Sequence, residues 1–190
     1  MIRGLLVALL LAWAPGASAA SIDELMAALA GVRESSATFR EEKAMAALSS
    51  PIESRGRLVW RAPDHLEKRT EVPVAEDIVV DGSRLTYAKP SENLRRTLSL
   101  EGAPELRGLV EAVRGVLAGD VATLRRYYSV GLESPAGGGW RLTLVPVDKA
   151  VKGFVKVVRV DGTAAQVRRV ETVEPDGDTT TMLIEPAAAG

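Results

Sequence analysis

Two apolar spacings alternate along this chain, one typical of helices and one typical of strands. Ser21 and Glu24 form a capping box, in which each side chain can accept a hydrogen bond from a backbone amide at the helix start. Apolar residues then recur every three or four positions from Ile22 to Val32. This spacing predicts an amphipathic helix with one buried stripe.

Most of the rest of the chain follows a two-residue period, which predicts strands. Leu58 and Trp60 alternate with arginines, Leu85 and Tyr87 flank a threonine, and Trp140, Leu142 and Leu144 alternate with polar residues. Neighbouring strand residues point to opposite faces, so the sheet should have one apolar and one polar face. The predicted strands begin near Ala37 and include Arg57 to Trp60, Glu76 to Val80, Arg84 to Tyr87, Asn93 to Leu100, Tyr128 to Glu133, Trp140 to Val147, Phe154 to Val160, Gln166 to Val173 and Thr179 to Ile184.

Short polar turns separate the predicted strands. Asp81-Gly82, Asp161-Gly162 and the segment from Pro175 to Gly177 are typical of hairpin turns, because these residues tolerate tight backbone conformations. Ser49-Ser50-Pro51 predicts a further turn, and Pro63 interrupts the strand that contains Trp60. Strands joined this closely predict one large antiparallel sheet.

A second helical pattern occupies the middle of the chain. It follows Pro104, ends at Gly119, and has its apolar face at Leu106, Leu109, Val110, Val113, Val116 and Leu117. Asp120 can cap a short third helix that includes Leu124 and Tyr127. We expect these two helical segments to cover the apolar face of the sheet, which makes the fold class α+β.

The first 19 residues have the pattern of a cleavable signal peptide. Arg3 precedes an apolar run from Leu5 to Ala14, and Ala17-Ser18-Ala19 supplies the small residues of a cleavage site. We expect residues 20–190 to form a single domain that is exported to the periplasm. The chain has no cysteine, which excludes disulfides and an acylated cysteine anchor. Its 24 basic and 25 acidic residues nearly balance, which argues against binding to nucleic acid.

Few residues suggest catalysis. His65 is the only histidine and follows Asp64, but no second histidine and no G-x-S-x-G motif accompany it. Glu41 and Glu42 are adjacent on a predicted strand, so their carboxylates should point to opposite faces. We therefore predict that the protein is not an enzyme and expect no cofactor or metal site.

Several ordered segments resemble the outer-membrane lipoprotein carrier family, the LolA-like proteins. They are SSATFREEK with Phe39, GRLVWRAPDHL, the hairpin IVVDGSRLTY, and the closing strands YYSVGLES, GWRLTLVP, FVKVVRVDGTAAQVRRVE and DTTTMLIEP. Each segment alone is common, but their combined order and spacing are more specific. The similarity extends over nearly all of residues 20–190.

This resemblance implies both a fold and a function. The implied fold is a strongly curved antiparallel sheet, an incomplete β-barrel, with helices as a lid over its concave face. The implied function is that of a monomeric periplasmic carrier of an acylated lipoprotein or another lipid. Such a carrier receives cargo from an inner-membrane transporter and delivers it to an outer-membrane receptor. The expected lipid cavity is lined by Phe39, Leu58, Trp60, Leu85, Tyr87, Leu106, Leu109, Val110, Val113, Trp140, Leu142 and Leu144.

The chain departs from the family pattern at one position. The resemblance implies an arginine that locks the lid directly before the strand-break proline, whereas Ala62 stands there in this sequence. Arg61 should face the opposite side of the strand. The closed state could therefore be weaker or the cargo different. Two other classes stay open, a non-catalytic sensor or protein-interaction domain of the same fold and, on much weaker grounds, a hydrolase built around His65.

Overall fold

The fold is seen in a computed structural model that describes residues 21–187. The expected signal peptide, residues 1–19, lies outside these residues, as do residues 188–190. In the described part of the chain, an α+β fold combines one antiparallel sheet with four α-helices. No helix among residues 21–187 has both the length and the apolar character needed to span a membrane.

The sheet has eleven strands in the order β6-β5-β4-β3-β2-β1-β11-β10-β9-β8-β7. It does not close into a barrel, because β6 and β7 remain as its two edges. The first and last strands along the chain pair with each other in the middle of the sheet. The strands are β1 Glu34–Ala44, β2 Ile52–Arg61, β3 His65–Val72, β4 Glu76–Asp81, β5 Arg84–Lys89, β6 Leu94–Ser99, β7 Tyr128–Glu133, β8 Trp140–Pro146, β9 Val157–Thr163, β10 Gln166–Val173 and β11 Thr179–Pro186.

Four helices and their caps follow from local sequence. The predicted capping box of Ser21 and Glu24 is present at the start of the first helix. Asp120 caps the third helix through the Thr123 amide, and Asp148 caps the fourth through the Ala150 and Val151 amides. The helices are α1 Ile22–Ala30, α2 Pro104–Leu117, α3 Val121–Tyr127 and α4 Lys149–Lys152.

The main hydrophobic core lies between the helices and one end of the sheet. It combines residues of all four helices with the residues of β7, β8 and β9 that share one face. We call this the inner face of the sheet. Strand register places Trp60, Leu66, Val80 and Leu85 on the same face, because they lie opposite one another in this order across the ladders β2–β3, β3–β4 and β4–β5. Leu58 shares this face, since it lies two residues before Trp60 on β2.

The structure corrects three details of the sequence analysis. Strand β3 and helix α4 were not predicted, and β9 begins at Val157, whereas the prediction placed its start at Phe154. The cover over the sheet includes α1 and α4 in addition to the two expected helices, since Leu29 and Val151 are part of the core. The larger cover leaves part of the sheet fully enclosed.

The expected hairpin turn at Asp161-Gly162 is also wrong. Both residues lie within β9, and the turn to β10 follows Thr163. A side chain at Gly162 would meet the Trp140 ring at 2.2 Å, so the glycine makes room for the indole across the β8–β9 ladder. By contrast, the hairpin at Asp81-Gly82 is confirmed by the pairing of Asp81 with Arg84.

Candidate functional site

The twelve residues predicted to line a lipid cavity divide into two groups by burial. Five are buried: Phe39, Trp60, Trp140, Leu142 and Leu144. Seven are half-buried: Leu58, Leu85, Tyr87, Leu106, Leu109, Val110 and Val113. The sheet itself has two parts, which we call the covered half (β7–β10 with α1, α3 and α4) and the open half (the inner face of β1–β6). Both parts contribute buried residues, because Phe39 and Trp60 lie on β1 and β2.

The covered half is a packed core. Leu142 and Leu144 are 0% exposed and contact the residues of α1, α2 and α3 that complete the cluster. The Trp140 indole donates to the Ala164 carbonyl at 2.7 Å, which satisfies its N–H in a buried position. These three predicted cavity residues therefore lie in the core that stabilises the fold.

The open half has less cover over the apolar part of its inner face. Phe39, Trp60 and Val80 are buried, and the Trp60 indole donates to the Val32 carbonyl at 3.2 Å. The apolar side chains beside them keep partial exposure to solvent. Leu58, Leu66, Ile78, Leu85 and Tyr87 are half-buried, and Leu98 of the edge strand is exposed.

Helix α2 presents two different sides. Its small-residue side packs closely on other helices, since a side chain at Gly108 would meet Val151 of α4 at 2.1 Å. Ala112 and Val116 extend this contact into the core. The bulkier apolar stripe of the helix is half-buried and consists of Leu106, Val110, Val113 and Leu117. The helix is thus anchored through one side and carries a second, incompletely packed apolar side.

A charged contact links α2 to the open half of the sheet. The Arg114 guanidinium donates to the Gly82 carbonyl in the β4–β5 turn at 2.7 Å and also bonds the Glu111 carboxylate. Glu111 is buried, so its charge depends on this partner. Sequence analysis missed both residues. Their i, i+3 spacing was a visible signal, but nothing in the sequence connected them to Gly82.

The position expected to hold a lid-locking arginine makes a backbone contact instead. The Ala62 amide donates to the Arg33 carbonyl at 2.8 Å. The Arg61 side chain bonds Glu34 and Glu67, which places it on the outer face as expected. The arginine that joins a helix to the sheet through the Gly82 carbonyl is Arg114, which lies on α2 and not on the strand before Pro63.

One ion pair lies on the inner face of the open half. The Lys68 ammonium bonds the Glu41 carboxylate at 2.7 Å and lies 5.1 Å from the centre of the Phe39 ring. The Ser54 hydroxyl donates to the same carboxylate at 3.2 Å. Strand register places this polar cluster beside Leu58, which pairs with Lys68. The face is therefore apolar toward Trp60 and polar toward Glu41.

Two surface grooves lie apart from the predicted cavity residues, none of which lines either groove. A groove of about 280 Å³ runs between Pro63, Asp64 and the arginines of α2 and α3. A groove of about 400 Å³ lies over Arg40, Arg55 and Leu183 on the outer face.

His65 belongs to a polar cluster on the outer face. Its Nε2 atom lies 2.8 Å from the Glu67 carboxylate, which also accepts from Arg69 at 2.7 Å and from Arg61 at 3.3 Å. The hydrogen bond from His65, followed by Arg69, lowers the pKa of Glu67 even though burial opposes this shift. Among residues 21–187, no group of three or more His, Cys, Asp or Glu side chains is arranged to hold a metal ion.

Comparison with known proteins gives matches to a family and to solved structures. No curated protein sequence matches the chain. A LolA superfamily protein from Nitrosomonas europaea shares 13% identity at a TM-score of 0.44, over 90% of this chain and 96% of that one. A chain of the MucA/MucB complex from Pseudomonas aeruginosa shares 12% identity at a TM-score of 0.44, over 90% of this chain and 59% of that one. A chain of the CwlD amidase–GerS lipoprotein complex from Clostridioides difficile shares 12% identity at a TM-score of 0.40, over 76% and 79% of the two chains.

The family is shown by a sequence match to its model rather than by these distant structures. The model described as outer membrane lipoprotein carrier protein LolA-like matches residues 14–190. This match includes both halves of the sheet and all four helices. LolA-like family members are periplasmic, and they are generally non-catalytic binding or carrier domains. The chain belongs to the outer membrane lipoprotein carrier protein LolA-like family.

Proposed function

We propose that the protein is a periplasmic carrier that shields the acyl chains of a lipoprotein or another lipid between α2 and the open half of the sheet. The observation that supports this most directly is the pair of incompletely buried apolar surfaces, one on each side of this space. They are the stripe of Leu106, Val110 and Val113 and the sheet residues Leu58 and Leu85. The covered half, whose core is closed, then serves as the rigid support.

The energetics of acyl chains favour such a surface. Each CH₂ group removed from water stabilises the bound state by about 0.8 kcal/mol, so a sixteen-carbon chain represents on the order of 12 kcal/mol. Covering the open half with a guest would also bury the protein's own exposed apolar area. Part of this area is already packed in the empty state, which lowers the free energy gained on binding. A carrier must release its cargo, so its affinity for the acyl chain has to be limited.

Cargo entry requires α2 to move away from the sheet. The Arg114 contact with Gly82 holds the helix at the β4–β5 turn, while its small-residue side remains packed on α4. A shift that breaks one charged hydrogen bond and moves the half-buried stripe of α2 away from the sheet costs much less free energy than one that opens the core. In this proposal, Arg114 takes over the lid-holding role that the family pattern assigns to a residue at position 62.

The carrier role further implies export and partners. We expect residues 1–19 to be removed on export, an inner-membrane transporter to donate cargo, and an outer-membrane receptor to accept it. These expectations follow from the family to which the chain belongs. The Glu41–Lys68 pair gives the proposed space a polar end at which a head group or peptide linkage can lie.

The test measures uptake of a fluorescent fatty acid by the exported protein. Leu58→Gln places an amide on the inner face of β2, whereas Val59→Gln makes a similar change on the outer face of the same strand. We expect Leu58→Gln to weaken probe binding at least tenfold and Val59→Gln to leave it within twofold, since one buried polar group costs about 1–3 kcal/mol.

Extraction of the wild-type protein followed by mass spectrometry supplies an independent readout. Bound lipid in the native preparation supports the carrier role. No lipid in repeated preparations, together with no uptake of the acyl probe, contradicts it. That result would favour the interaction-domain alternative, in which a protein partner binds with the same affinity whether or not Leu58 is changed.

A further inference from the structure

The exposed apolar residues of this protein are concentrated at one end of the sheet. In an antiparallel sheet, alternate connections lie at the same end. The end that carries the β1–β2 connection therefore also carries β3–β4, β5–β6, β8–β9 and β10–β11; we call it the β1–β2 end. Of the nine exposed large apolar residues in the described chain, seven lie in or beside these connections: Leu48, Ile52, Val72, Val74, Val145, Val147 and Phe154.

Two neighbouring connections at this end carry no charge at all. The segments 44–52 and 72–75 contain only apolar residues, serine and proline. The pairing of Arg55 with Val72 brings the two segments side by side. Leu48, Ile52 and Val74 are 40–46% exposed there. Apolar loops without charge can enter the interfacial layer of a bilayer at low cost, because no ion has to lose its hydration.

The β8–β9 connection adds positive charge to further apolar residues. Val147 and Phe154 are 48% and 50% exposed. The same segment carries Lys149, Lys152 and Lys156, which are exposed and take part in none of the ion pairs found among residues 21–187. Its single acid, Asp148, caps α4 through two backbone amides.

Four other acidic residues of this end are engaged in local contacts. Glu174 bonds Lys43 at 2.8 Å, and Glu92 bonds Lys89 at 2.5 Å. Asp178 is buried and accepts from the Ala46 amide, while Asp176 accepts from the Asp178 amide. The three lysines of the β8–β9 connection are therefore available for an external anion.

We infer that the β1–β2 end docks on the surface of a bilayer that contains anionic phospholipid. The apolar residues of the β1–β2, β3–β4 and β8–β9 connections would enter the boundary between head groups and acyl chains. The three lysines of the β8–β9 connection would contact lipid phosphates. A flat surface is the shape that several connections at one end of a sheet can contact together. This docking is separate from cargo binding, because none of its residues belongs to the proposed lipid space.

The test is flotation of the exported protein with vesicles. One set contains phosphatidylcholine alone, and the other contains equal parts of phosphatidylcholine and phosphatidylglycerol. We expect binding to the anionic vesicles that weakens as salt is raised. Replacing the three lysines by glutamate (K149E, K152E, K156E) should lower the partition coefficient on anionic vesicles by a factor of about one hundred, since each basic residue near such a surface contributes about 1 kcal/mol.

Apolar variants distinguish docking through this end from nonspecific hydrophobic adsorption to vesicles. Leu48→Ser with Phe154→Ser should lower vesicle binding about tenfold or more, because both side chains lose their contact with the interface. Leu183→Ser is the matched control: Leu183 is 51% exposed but lies on the outer face in the middle of the β1–β11 ladder, and not in a connection. All variants share the same N-terminus, so any contribution it makes to vesicle binding cancels.

The outcomes distinguish docking from the carrier role and from other partners. The triple lysine variant and the Leu48→Ser, Phe154→Ser variant should both take up the fatty-acid probe from micelles as the wild type does, whatever their vesicle binding. No flotation of the wild type with either vesicle, or an equal loss in Leu183→Ser, overturns the docking proposal. A dimer seen by analytical ultracentrifugation and abolished by Leu48→Ser with Phe154→Ser would instead assign this end to a second copy of the chain.

Discussion

Both halves of the sheet carry apolar residues on the inner face, but the two halves differ in what covers these residues. In the covered half, Leu142 and Leu144 are enclosed by helices and have no exposed area. In the open half, Leu58 and Leu85 follow the same alternation but remain half-buried. The alternation therefore determines which face is apolar, whereas the position of the helices determines which part of that face is core and which part can receive a guest.

Polar residues mark the same division. The inner face of the open half includes the Glu41–Lys68 ion pair, with a hydrogen bond from Ser54. In the covered half, the buried cluster is apolar except for the polar tips of its aromatic residues, such as Tyr128, whose hydroxyl donates to the Gly108 carbonyl. An ion pair is tolerated where water still reaches the face, which agrees with partial exposure of the open half.

The largest expected effect is on the core. Leu142→Ala should lower the free energy of unfolding by about 3–5 kcal/mol, because it removes a fully enclosed side chain and leaves a cavity. Urea denaturation measures the loss. In buffer where the variant is folded, the affinity for the acyl probe should stay within twofold of the wild type. A tenfold loss of affinity would place cargo in the covered half and contradict the division.

The next effect concerns the contact between α2 and the sheet. Arg114→Ala should lower the free energy of unfolding by about 2 kcal/mol, since it leaves the buried Glu111 carboxylate without its partner. The double variant Glu111→Leu with Arg114→Met removes both charges and should be more stable than Arg114→Ala.

Kinetics test the proposed lid function of the same contact. Both Arg114 variants should release a bound acyl probe faster than the wild type in stopped-flow measurements, because neither can bond the Gly82 carbonyl. Equal release rates in all three proteins would show that this contact does not hold the lid. A fast rate in Arg114→Ala alone would reflect its lower stability instead.

A smaller effect on stability is expected in the open half. Leu58→Ala should cost about 1 kcal/mol, because a half-buried side chain loses less contact area than a core side chain. Its affinity for the probe should nevertheless fall about fivefold or more. Thermal denaturation and probe titration on one preparation give both values. A stability loss as large as that of Leu142→Ala would mean that the open half is ordinary core.

The smallest effect is a pH dependence on the outer face. The hydrogen bond from His65 and the charge of Arg69 hold the pKa of Glu67 below its ordinary value of 4.5. A lowered pKa in the folded state means that the stabilisation is present above the unfolded value and is lost as pH falls through the folded value. The free energy of unfolding should therefore fall below about pH 4.5, and less steeply in Glu67→Gln. Equal slopes for the two proteins would exclude Glu67 as a source.

Much of this architecture could be predicted from the sequence. The alternation around Trp140 and Leu142, the capping box at Ser21 and the Asp81-Gly82 turn each depend on local chemistry, and each is found where expected. Strand β3 was missed because Glu67, Lys68 and Arg69 give it charged side chains on both faces, which hides the two-residue apolar period. This segment forms a strand because it pairs with β2 and β4, and the sequence alone does not reveal this pairing.

The candidate site was less predictable, because burial depends on cover. Leu144 and Leu85 occupy equivalent positions in their strand patterns, yet only Leu144 lies beneath packed helices. Likewise, the spacing of Glu111 and Arg114 predicts a pair on one helix but cannot show that Gly82 lies within reach. These differences arise from contacts between residues far apart in the chain.

Photo-crosslinking with a diazirine-bearing fatty acid tests the central claim most directly. After irradiation of the loaded protein, peptide mass spectrometry identifies the residues that carry the label. The account predicts label on the inner face of the open half and on the facing stripe of α2, at residues such as Leu58, Leu85 and Val110, and little on Leu142. Label confined to outer-face positions such as Leu183, or spread evenly over the surface, would contradict it.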